Sequence, residues 1–448
     1  MTMVERREPV STVAFIDEYC QTYRNLFPDV RNFEAFKFLH LGVISEIKRK
    51  SLPAIARIVG LSDGQELHHF LRDTPWDVKG LRELRLQIIK ASVGDEPIVL
   101  CIDEIVLCID ETGDEKKGKA TDYVAKQYIG NLGRTANGIV SVNAYALVDN
   151  ITIPLLFKIF KPRHRLKEGD VYKTKPQLAE KIVRELLAFG FKFKLVLADS
   201  LYGESGNVIG VLKELKLNFI VAIRSNHGVL VAPGQRLRYN SWRAYQQNLS
   251  HRQPERRYIR EIIFGKRRNI RYYEITKSDT KNPKSDTWFI MTNLPGNIQL
   301  VVSNLYSLRN WIEYGFKQVK NELGWADFRL TDYSSIERWW EIIFSAYLLI
   351  SLHAQAFKNE AVRDSLQLDS KLLQSIEEYS LHPYWETGTD WKSALNNLRL
   401  IIQPYIFWFL IEPWLRVFPL PGMKRSFFKL IEIMNCFRAD SIEYAKAC

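Results

Sequence analysis

The sequence lacks the cysteine patterns that hold zinc sites and disulfide frameworks. Its 448 residues include five cysteines (Cys20, Cys101, Cys108, Cys436 and Cys448), which are scattered and form no Cys-x-x-Cys pair. Such usage fits a reducing compartment and argues against structural zinc or disulfides. The eight histidines fall in no motif with metal-ligand or catalytic spacing.

Secretion and membrane signals are missing as well. The N-terminus mixes acidic and basic residues and has no apolar stretch of the kind found in signal peptides. The longest apolar runs are residues 342–352, too short to span a bilayer, and residues 400–415, interrupted by Pro404, Glu412 and Pro413. We therefore expect core helices of a soluble cytoplasmic protein with no membrane partner.

Acidic residues are under-represented. The chain has 63 Lys and Arg against 51 Asp and Glu, a formal net charge of +12. This balance indicates a polyanionic partner, nucleic acid first and an acidic membrane second. A hydrophobic content of 46% excludes a disordered chain, and the length allows two or three domains.

The first 95 residues read as a helical region. Within it, residues 51–71 predict helix, glycine-containing turn and helix, with Ser51 and Ser62 as helix caps and Pro53 in the first turn. This resembles a helix-turn-helix that contacts DNA. A short pair of helices without DNA contact is the alternative.

From residue 98 the pattern changes to strands, which predicts an α/β fold with a mixed sheet. We expect strands at 99–110, 139–147, 153–160, 194–198 and 219–223, with helices at 176–189 and 207–215. A long helix is expected at 337–357, followed by a helical and aromatic tail. The predicted segments are a helical region at 1–95, a catalytic core at 96–224 and 298–358, an inserted β subdomain at 225–297, and a helical C-terminal region at 359–448.

The predicted insert is basic and aromatic, with a hairpin expected around residues 265–267. Such a surface suits contact with a nucleic-acid backbone and stacking of bases. A solvated sheet edge whose charges prevent aggregation is the alternative. The arginines include Arg236, Arg238, Arg243, Arg256, Arg257, Arg260, Arg267, Arg268 and Arg271, interleaved with Tyr239, Trp242, Tyr245, Tyr258, Tyr272 and Tyr273.

A tandem duplication lies in the first strand. Residues 99–105 read Val-Leu-Cys-Ile-Asp-Glu-Ile, and residues 106–112 read Val-Leu-Cys-Ile-Asp-Glu-Thr. The two aspartates, Asp103 and Asp110, are seven positions apart, so in a continuous strand they occupy opposite faces. Only one of them can serve a given site.

Residues 305–320 predict an amphipathic helix with a row of polar side chains beside its apolar face. Tyr306, Arg309, Glu313 and Lys320 fall within about 60° of the helical wheel. Together they could bind a phosphate and a metal ion. A solvated face with one Arg–Glu pair is the alternative.

Three carboxylates occupy positions where an active site is expected. Asp110 and Asp199 each close an apolar strand, and Glu313 lies on the helix after the basic insert. Strand ends carry the active sites of many α/β folds. Such an oxygen-rich set suits two Mg²⁺ ions, with Mn²⁺ as a substitute, in phosphoryl transfer.

These residues resemble a family, the DDE-type bacterial insertion-sequence transposases with the YREK signature. That signature is Tyr, two residues, Arg, three residues, Glu, six residues and Lys, and Tyr306, Arg309, Glu313 and Lys320 fit every spacing. Residues 110–119 with 127–130 resemble the first catalytic block, and Ala198-Asp199-Ser200-Leu201-Tyr202-Gly203 resembles the second. The resemblance covers about residues 20–355 and is weak in the tail.

The resemblance implies a ribonuclease-H-like core interrupted by a β insert, with metal ions held by Asp110, Asp199 and Glu313. Asp110 is preferred over Asp103 because only Asp110 precedes Thr-Gly-x-x-Lys-Lys-Gly. The resemblance also implies that Arg309 and Lys320 hold DNA phosphates and that Tyr306 contacts the phosphate of a displaced nucleotide. A flipped base would stack on Trp242 or Trp288.

The sequence therefore predicts a magnesium-dependent DNA transposase. It would bind terminal inverted repeats, cleave phosphodiester bonds and join 3′-hydroxyl ends to target DNA, as a homodimer on DNA near the bacterial nucleoid. An inactive or domesticated DNA-binding derivative and a metal-dependent nuclease without strand transfer are the alternatives. The duplicated strand is the feature that favours an inactive copy.

Overall fold

The structure is a computed structural model that describes residues 7–94, 98–108, 120–129, 134–148, 151–229, 233–234, 236–249, 252–264, 269–277, 286–358 and 382–434. The chain divides into two compact units. The first comprises residues 1–94, 118–122 and 317–448, and the second comprises residues 95–117 and 123–316. The five-segment division expected from the sequence stays a prediction.

The N-terminal part of the first unit is helical, as predicted. Aromatic and aliphatic side chains of α2 are almost fully buried, and the carboxylate of Asp29 caps this helix by accepting the N–H of Asn32 at 2.8 Å. The helices are α1 (Ala14–Gln21), α2 (Val30–Ile44), α3 (Leu52–Ile58), α4 (Gln65–Arg72) and α5 (Val78–Val93), with a 3₁₀ turn at Arg24–Leu26.

Helices α3 and α4 form the predicted helix, turn and helix, but their caps differ from the expectation. Ser51 stands at the N-cap of α3 without a side-chain capping bond. The predicted cap of the second helix was wrong. Gly64 is the N-cap of α4, and the Asp63 carboxylate accepts the N–H of Gln65 at 2.8 Å in place of Ser62. The turn also contains Gly60 at φ +79°, a conformation that favours glycine.

The second unit is built on a mixed sheet. Its first strands are β1 (Ile98–Cys108), β2 (Ala125–Ile129), β3 (Arg134–Val148), β4 (Ile151–Ile159), β5 (Phe193–Ala198) and β6 (Phe219–Ile223). The 3₁₀ turn Arg163–Arg165 and helices α6 (Lys175–Ala188), α7 (Ser200–Gly203) and α8 (Gly206–Glu214) connect them. Strand order β4-β3-β1-β5-β6 has antiparallel pairs on one side of β1 and parallel pairs on the other. This arrangement is ribonuclease-H-like and confirms the predicted core.

The inserted strands extend this sheet. They are β7 (Leu237–Tyr239), β8 (Arg243–Leu249), β9 (Arg252–Phe264), β10 (Arg271–Thr276) and β11 (Thr287–Thr292). Strand β11 pairs antiparallel with β6, so core and insert share one eleven-stranded sheet. Strands β9 and β10 are antiparallel neighbours, as the predicted hairpin requires.

Helices follow the insert. They are α9 (Val302–Ser307), α10 (Asn310–Asn321), α11 (Tyr333–Lys358), α12 (Trp391–Val417) and α13 (Met423–Met434). In the first unit, α11 packs against α2, α5 and α12. The carboxylate of its Glu341 accepts from the half-buried Arg82 at 2.5 Å and from the buried Arg85 at 3.1 Å.

The apolar run at 400–415 lies within a helix, as expected. Helix α12 continues through Pro404 and Pro413, although an interior proline costs about 3 kcal/mol. Burial of Leu398, Ile402 and Trp408 offsets that cost. Within the described residues, α12 is the one helix long and apolar enough to cross a membrane, and 56% of its most apolar window is buried.

Candidate active site

Asp199 lies where an apolar strand ends. Strand β5 finishes at Ala198, which is buried, and Asp199 then forms the N-cap of the short helix α7. Its Oδ1 accepts the N–H of Leu201 at 2.9 Å, which fixes the carboxylate at the carboxyl end of the strand. The half-buried side chain retains lone pairs for a further ligand.

Gly203 explains why this turn can lie so close to the sheet. A Cβ atom at position 203 would sit 1.9 Å from the carbonyl oxygen of Ala222 in β6. Any side chain there would push α7 away from the strand, and Asp199 with it. The sequence analysis placed Gly203 in the second catalytic block without this structural reason. Its position four residues after the aspartate was the available signal.

Glu313 is carried by a helix that packs tightly on the sheet. Gly315 of α10 faces Tyr145 of β3, where a Cβ atom would lie 3.0 Å from Cε1 of the ring. The rings of Tyr145 and Phe316 meet edge to face at 5.5 Å. The Glu313 side chain is 50% exposed, so a ligand can reach it from solvent.

The predicted helix at 305–320 is divided into two. Tyr306 belongs to α9, Arg309 lies in a two-residue break at 308–309, and Glu313 and Lys320 belong to α10. The expectation of one continuous helix was wrong. At the break the N–H of Arg309 bonds to the carbonyl of Tyr306 at 3.0 Å, an i to i−3 contact that tightens the turn. Ile312, Val319 and Leu323 are fully buried, as the predicted apolar face requires.

Arg309 and Glu313 form an ion pair across this break. Nη2 of Arg309 donates to Oε1 of Glu313 at 2.8 Å. The predicted polar row therefore contains a direct contact between two of its members. It holds a guanidinium beside a solvent-accessible carboxylate, an arrangement that can bind an anion and a cation side by side.

Helix α9 is anchored on the insert. The hydroxyl groups of Tyr245 in β8 and Ser303 in α9 are hydrogen-bonded. Nδ2 of Asn304 donates to the carbonyl of Gln246 at 3.3 Å. The insert thus fixes the helix that carries Tyr306, which links the position of the signature residues to the basic strands.

Three of the predicted site residues lie outside the described part of the chain, namely Asp110, Arg267 and Arg268. Among the residues whose side chains the structure describes, which do not include residues 99–119, no three His, Cys, Asp or Glu side chains are grouped closely enough to hold a metal ion. Asp199 and Glu313 are therefore the two predicted ligands whose surroundings are known. The complete carboxylate triad stays a prediction.

Each predicted stacking tryptophan carries an arginine on one ring face. The guanidinium of Arg260 lies 4.4 Å from the centre of the Trp242 ring, and that of Arg257 lies 4.6 Å from the centre of Trp288. Cation–π contacts of this kind stabilise an aromatic ring in a fixed orientation. At most the opposite face of each ring is left for a base.

Part of the basic surface of the insert is neutralised. The ion pairs join Arg257 with Glu255, Arg260 with Glu274, and Arg271 with Glu261. Four other predicted arginines, Arg236, Arg238, Arg243 and Arg256, are exposed. The exposed set supports the interpretation as a backbone-contacting surface, and the paired set supports the structural alternative.

A basic loop between β4 and α6 was missed by the sequence analysis. It carries Lys161, Arg163, His164, Arg165, Lys167, Lys173 and Lys175. Asp170 organises it by accepting the backbone N–H of Lys167 and the hydroxyl of Tyr123, both at 2.8 Å. These bonds and the ammonium of Lys161 lower the pKa of Asp170 to about 2. The density of basic residues over fifteen positions was the available signal.

Comparisons with known proteins agree with the family that the sequence resembles. A family profile described as DDE superfamily endonuclease matches residues 25–271, more than half of the chain. The match contains Asp110 and Asp199 and ends before Glu313. A probable transposase for insertion sequence element IS701 from Microchaete diplosiphon is 55% identical over 336 residues, which cover 75% of this chain and 87% of that protein. The chain therefore belongs to the DDE-type insertion-sequence transposases.

Proposed function

We propose that this transposase binds the terminal inverted repeats of its own element, cuts the phosphodiester bonds there and joins the 3′-hydroxyl ends to target DNA. The observation that carries the proposal is Asp199, a half-buried carboxylate fixed at the carboxyl end of a core strand in a chain of this family. DNA is the partner implied by the family and by the net charge of +12.

The donor set fits divalent metal ions. Asp199, Glu313 and one of the two aspartates of the duplicated segment, Asp103 and Asp110, would supply the hard oxygen ligands that Mg²⁺ or Mn²⁺ prefers. The motif context favours Asp110. Two bound ions would activate the attacking oxygen and stabilise the leaving oxygen of the phosphodiester. Glu313 is solvent-accessible, and the turn around Asp199 keeps its carboxylate in place, so both can serve as ligands.

The protein would position DNA through cationic and aromatic side chains. Arg309 and Lys320 would hold phosphates, and Tyr306 would contact the phosphate of a displaced nucleotide. Two groups of arginines in the insert would extend this contact along the DNA backbone. They are the exposed set (Arg236, Arg238, Arg243 and Arg256) and the predicted pair Arg267 and Arg268. Trp242 or Trp288 would stack a flipped base on its open ring face. A dimer would bring two element ends together in the cytoplasm, at the nucleoid.

Cleavage of element-end DNA tests the proposal. The substrate is a labelled duplex containing the DNA that flanks this gene, with Mg²⁺ for cleavage and Ca²⁺ for binding alone. We expect Asp199→Asn and Glu313→Gln each to lower cleavage more than 100-fold and to leave DNA binding within threefold. Glu214→Gln is the matched control. Glu214 lies on α8 and is, like Glu313, an exposed carboxylate paired with an arginine, here Arg184 at 2.8 Å.

The outcomes separate the alternatives. Full cleavage by Asp199→Asn would overturn the proposed site. Mobility shifts without nicks in the unaltered protein would identify an inactive DNA-binding derivative. Nicks without covalent capture of a labelled target plasmid would identify a nuclease that lacks strand transfer.

A further inference from the structure

The duplicated segment offers two ways to thread strand β1. The copies at 99–105 and 106–112 are identical at six of seven positions. Sliding the chain by seven residues would place the same side chains on nearly the same strand sites. Strand register is normally specified by the pattern of apolar and polar residues. Here that pattern is repeated, so the two copies do not by themselves select a register. The residues that flank the copies must select it.

The described register aligns the first copy with the proposed catalytic carboxylate. In the parallel pair of β1 and β5, Ile102 lies beside Ala198. The observed ladder ends at this pair, and continuing it by one residue on each chain segment would bring positions 103 and 199 to the same level. Neighbouring strands are about 4.8 Å apart, and residues at one level share a face of the sheet. Asp103 is therefore placed beside Asp199.

The same register places Asp103 on the face that carries Glu313. In the antiparallel pair of β1 and β3, Asp103 lies opposite Asn143, and Cys101 lies opposite Tyr145. Tyr145 is the residue against which Gly315 of α10 packs. Positions 101 and 103 thus belong to the sheet face that α10 covers. A position seven residues further in a continuous strand would be about 23 Å away and on the opposite face.

The residues after the first copy favour this register. Val106 and Leu107 lie opposite Val140 and Ile139 of β3, which are buried. If the second copy occupied these sites, Gly113 and Asp114 would lie opposite Val140 and Ile139 instead. Glycine and aspartate are poor strand formers, and the aspartate would be placed against a buried apolar surface.

The residues before the second copy also favour the register that places the first copy on the strand. With the second copy on the strand, the apolar residues Val99, Leu100 and Ile102 would have to leave the sheet. The first-copy register keeps the apolar residues of both copies on β1 up to Cys108. That register places more apolar and β-branched residues in a strand, which strand propensity favours.

We infer that the first copy of the repeat occupies the catalytic strand, and that Asp103 takes the role that the motif context predicts for Asp110. This inference rests on the proposed metal site for its functional meaning, and its structural content is independent of that site. The Thr-Gly-x-x-Lys-Lys-Gly motif begins at Thr112, which lies nine residues after Asp103 and two residues after Asp110.

Cross-linking tests the register directly. Two variants are compared in a background with Cys101→Ser and Cys108→Ser: Asp103→Cys with Asp199→Cys, and Asp110→Cys with Asp199→Cys. A disulfide needs Cα atoms about 4.4–6.8 Å apart, which residues on one level of neighbouring strands satisfy. After mild oxidation we expect the 103–199 disulfide, mapped by mass spectrometry, to exceed the 110–199 disulfide at least tenfold. Equal yields, or a preference for 110–199, would overturn the inference.

Cleavage by isosteric single variants gives a second measurement if a double variant folds poorly. We expect Asp103→Asn to lower Mg²⁺-dependent cleavage more than 100-fold, and at least tenfold more than Asp110→Asn does. The reverse pattern would overturn the inference and leave the proposed function intact. Full cleavage by Asp199→Asn would instead overturn the proposed function, while the cross-linking result would still decide the register.

Discussion

Nη2 of Arg309 donates to Oε1 of Glu313 at 2.8 Å, which joins the break between α9 and α10 to the first turn of α10. The arginine side chain is 16% exposed and the glutamate side chain is 50% exposed. A partly exposed pair at this spacing contributes only about 0.5 kcal/mol to stability. Its main consequence is positional, because it keeps a guanidinium beside a proposed metal ligand.

Replacing Arg309 with Gln should therefore affect DNA binding more than folding. Loss of one phosphate contact should weaken binding to all sequences and reduce the slope of log Kd against log salt by about 1. The unfolding free energy should change by less than about 1 kcal/mol. Fluorescence anisotropy with labelled duplex over a salt series measures the slope.

The matched control is Arg184→Gln. Arg184 is also paired with glutamates, Glu180 and Glu214, but it lies on α6 and is none of the predicted site residues. Its removal should leave the salt slope unchanged. An unaltered slope in Arg309→Gln would show that Arg309 serves Glu313 alone and no phosphate.

Gly315 provides a test of how closely α10 must approach the sheet. In an open helical position Gly→Ala stabilises by about 0.5–1 kcal/mol, because alanine loses less backbone entropy. At Gly315 the added methyl group would lie 3.0 Å from the buried ring of Tyr145. We expect Gly315→Ala to cancel or reverse that gain and to lower cleavage several-fold by displacing Glu313.

Gly210 is the control for this substitution. It lies within α8, and a Cβ atom there would meet no atom within 4 Å. Gly210→Ala should raise the unfolding free energy in urea denaturation and leave cleavage unchanged. Equal stabilisation by both substitutions would mean that the Tyr145 ring can move aside without cost. The close approach of α10 to the sheet would then not be required.

Local patterns were sufficient where an element is defined by its own residues. The strand predicted at 219–223 is observed with the same bounds, because a continuous apolar run there is flanked by polar residues. The apolar positions Ile312 and Val319 were likewise assigned to the buried face of a helix from their spacing alone. Asp199 follows a strand and Glu313 lies on a helix, as predicted, and their role as metal ligands stays a prediction.

Features set by distant contacts were beyond the local pattern. The break at Arg309 interrupts a helical period that continues through it, and α9 is held by Tyr245 and Gln246, about sixty residues earlier in the chain. The pairing of β11 with β6 is similarly a long-range choice among exposed strand edges. The register of β1 depends on β3 and β5, so the choice between Asp103 and Asp110 requires the sheet.

The buried histidine His353 predicts acid sensitivity of the helical unit. It is 2% exposed, and burial lowers its pKa from 6.5 to about 4. Nδ1 lies 2.9 Å from the carbonyl of Leu349, which only accepts, so Nδ1 carries the proton of the neutral ring. Between pH 6.5 and 4 the unfolded chain binds a proton that the folded chain does not. The contribution of neutral His353 to the unfolding free energy is fully present above pH 6.5 and decreases as the pH falls toward 4.

His353→Phe should remove this dependence. The lowering of the His353 pKa from 6.5 to about 4 corresponds to a loss of about 3 kcal/mol of unfolding free energy once the pH is well below 4. A phenylalanine at this position would have an aromatic neighbour, because the ring of Phe15 lies 5.3 Å from the ring of His353. Urea denaturation followed by tryptophan fluorescence at pH 7 and pH 4.5 should show a smaller loss of unfolding free energy in the variant. Comparison with the unaltered chain cancels the titration of other groups, including His40, whose pKa burial also lowers to about 4.

The control for this pH effect is His382→Gln, because His382 is exposed. It should lose the same free energy between pH 7 and pH 4.5 as the unaltered chain. If His353→Phe also loses as much as the unaltered chain, then His353 becomes protonated within the folded unit, and water or a carboxylate must reach the ring. That outcome would reassign the acid sensitivity to other groups, including His40.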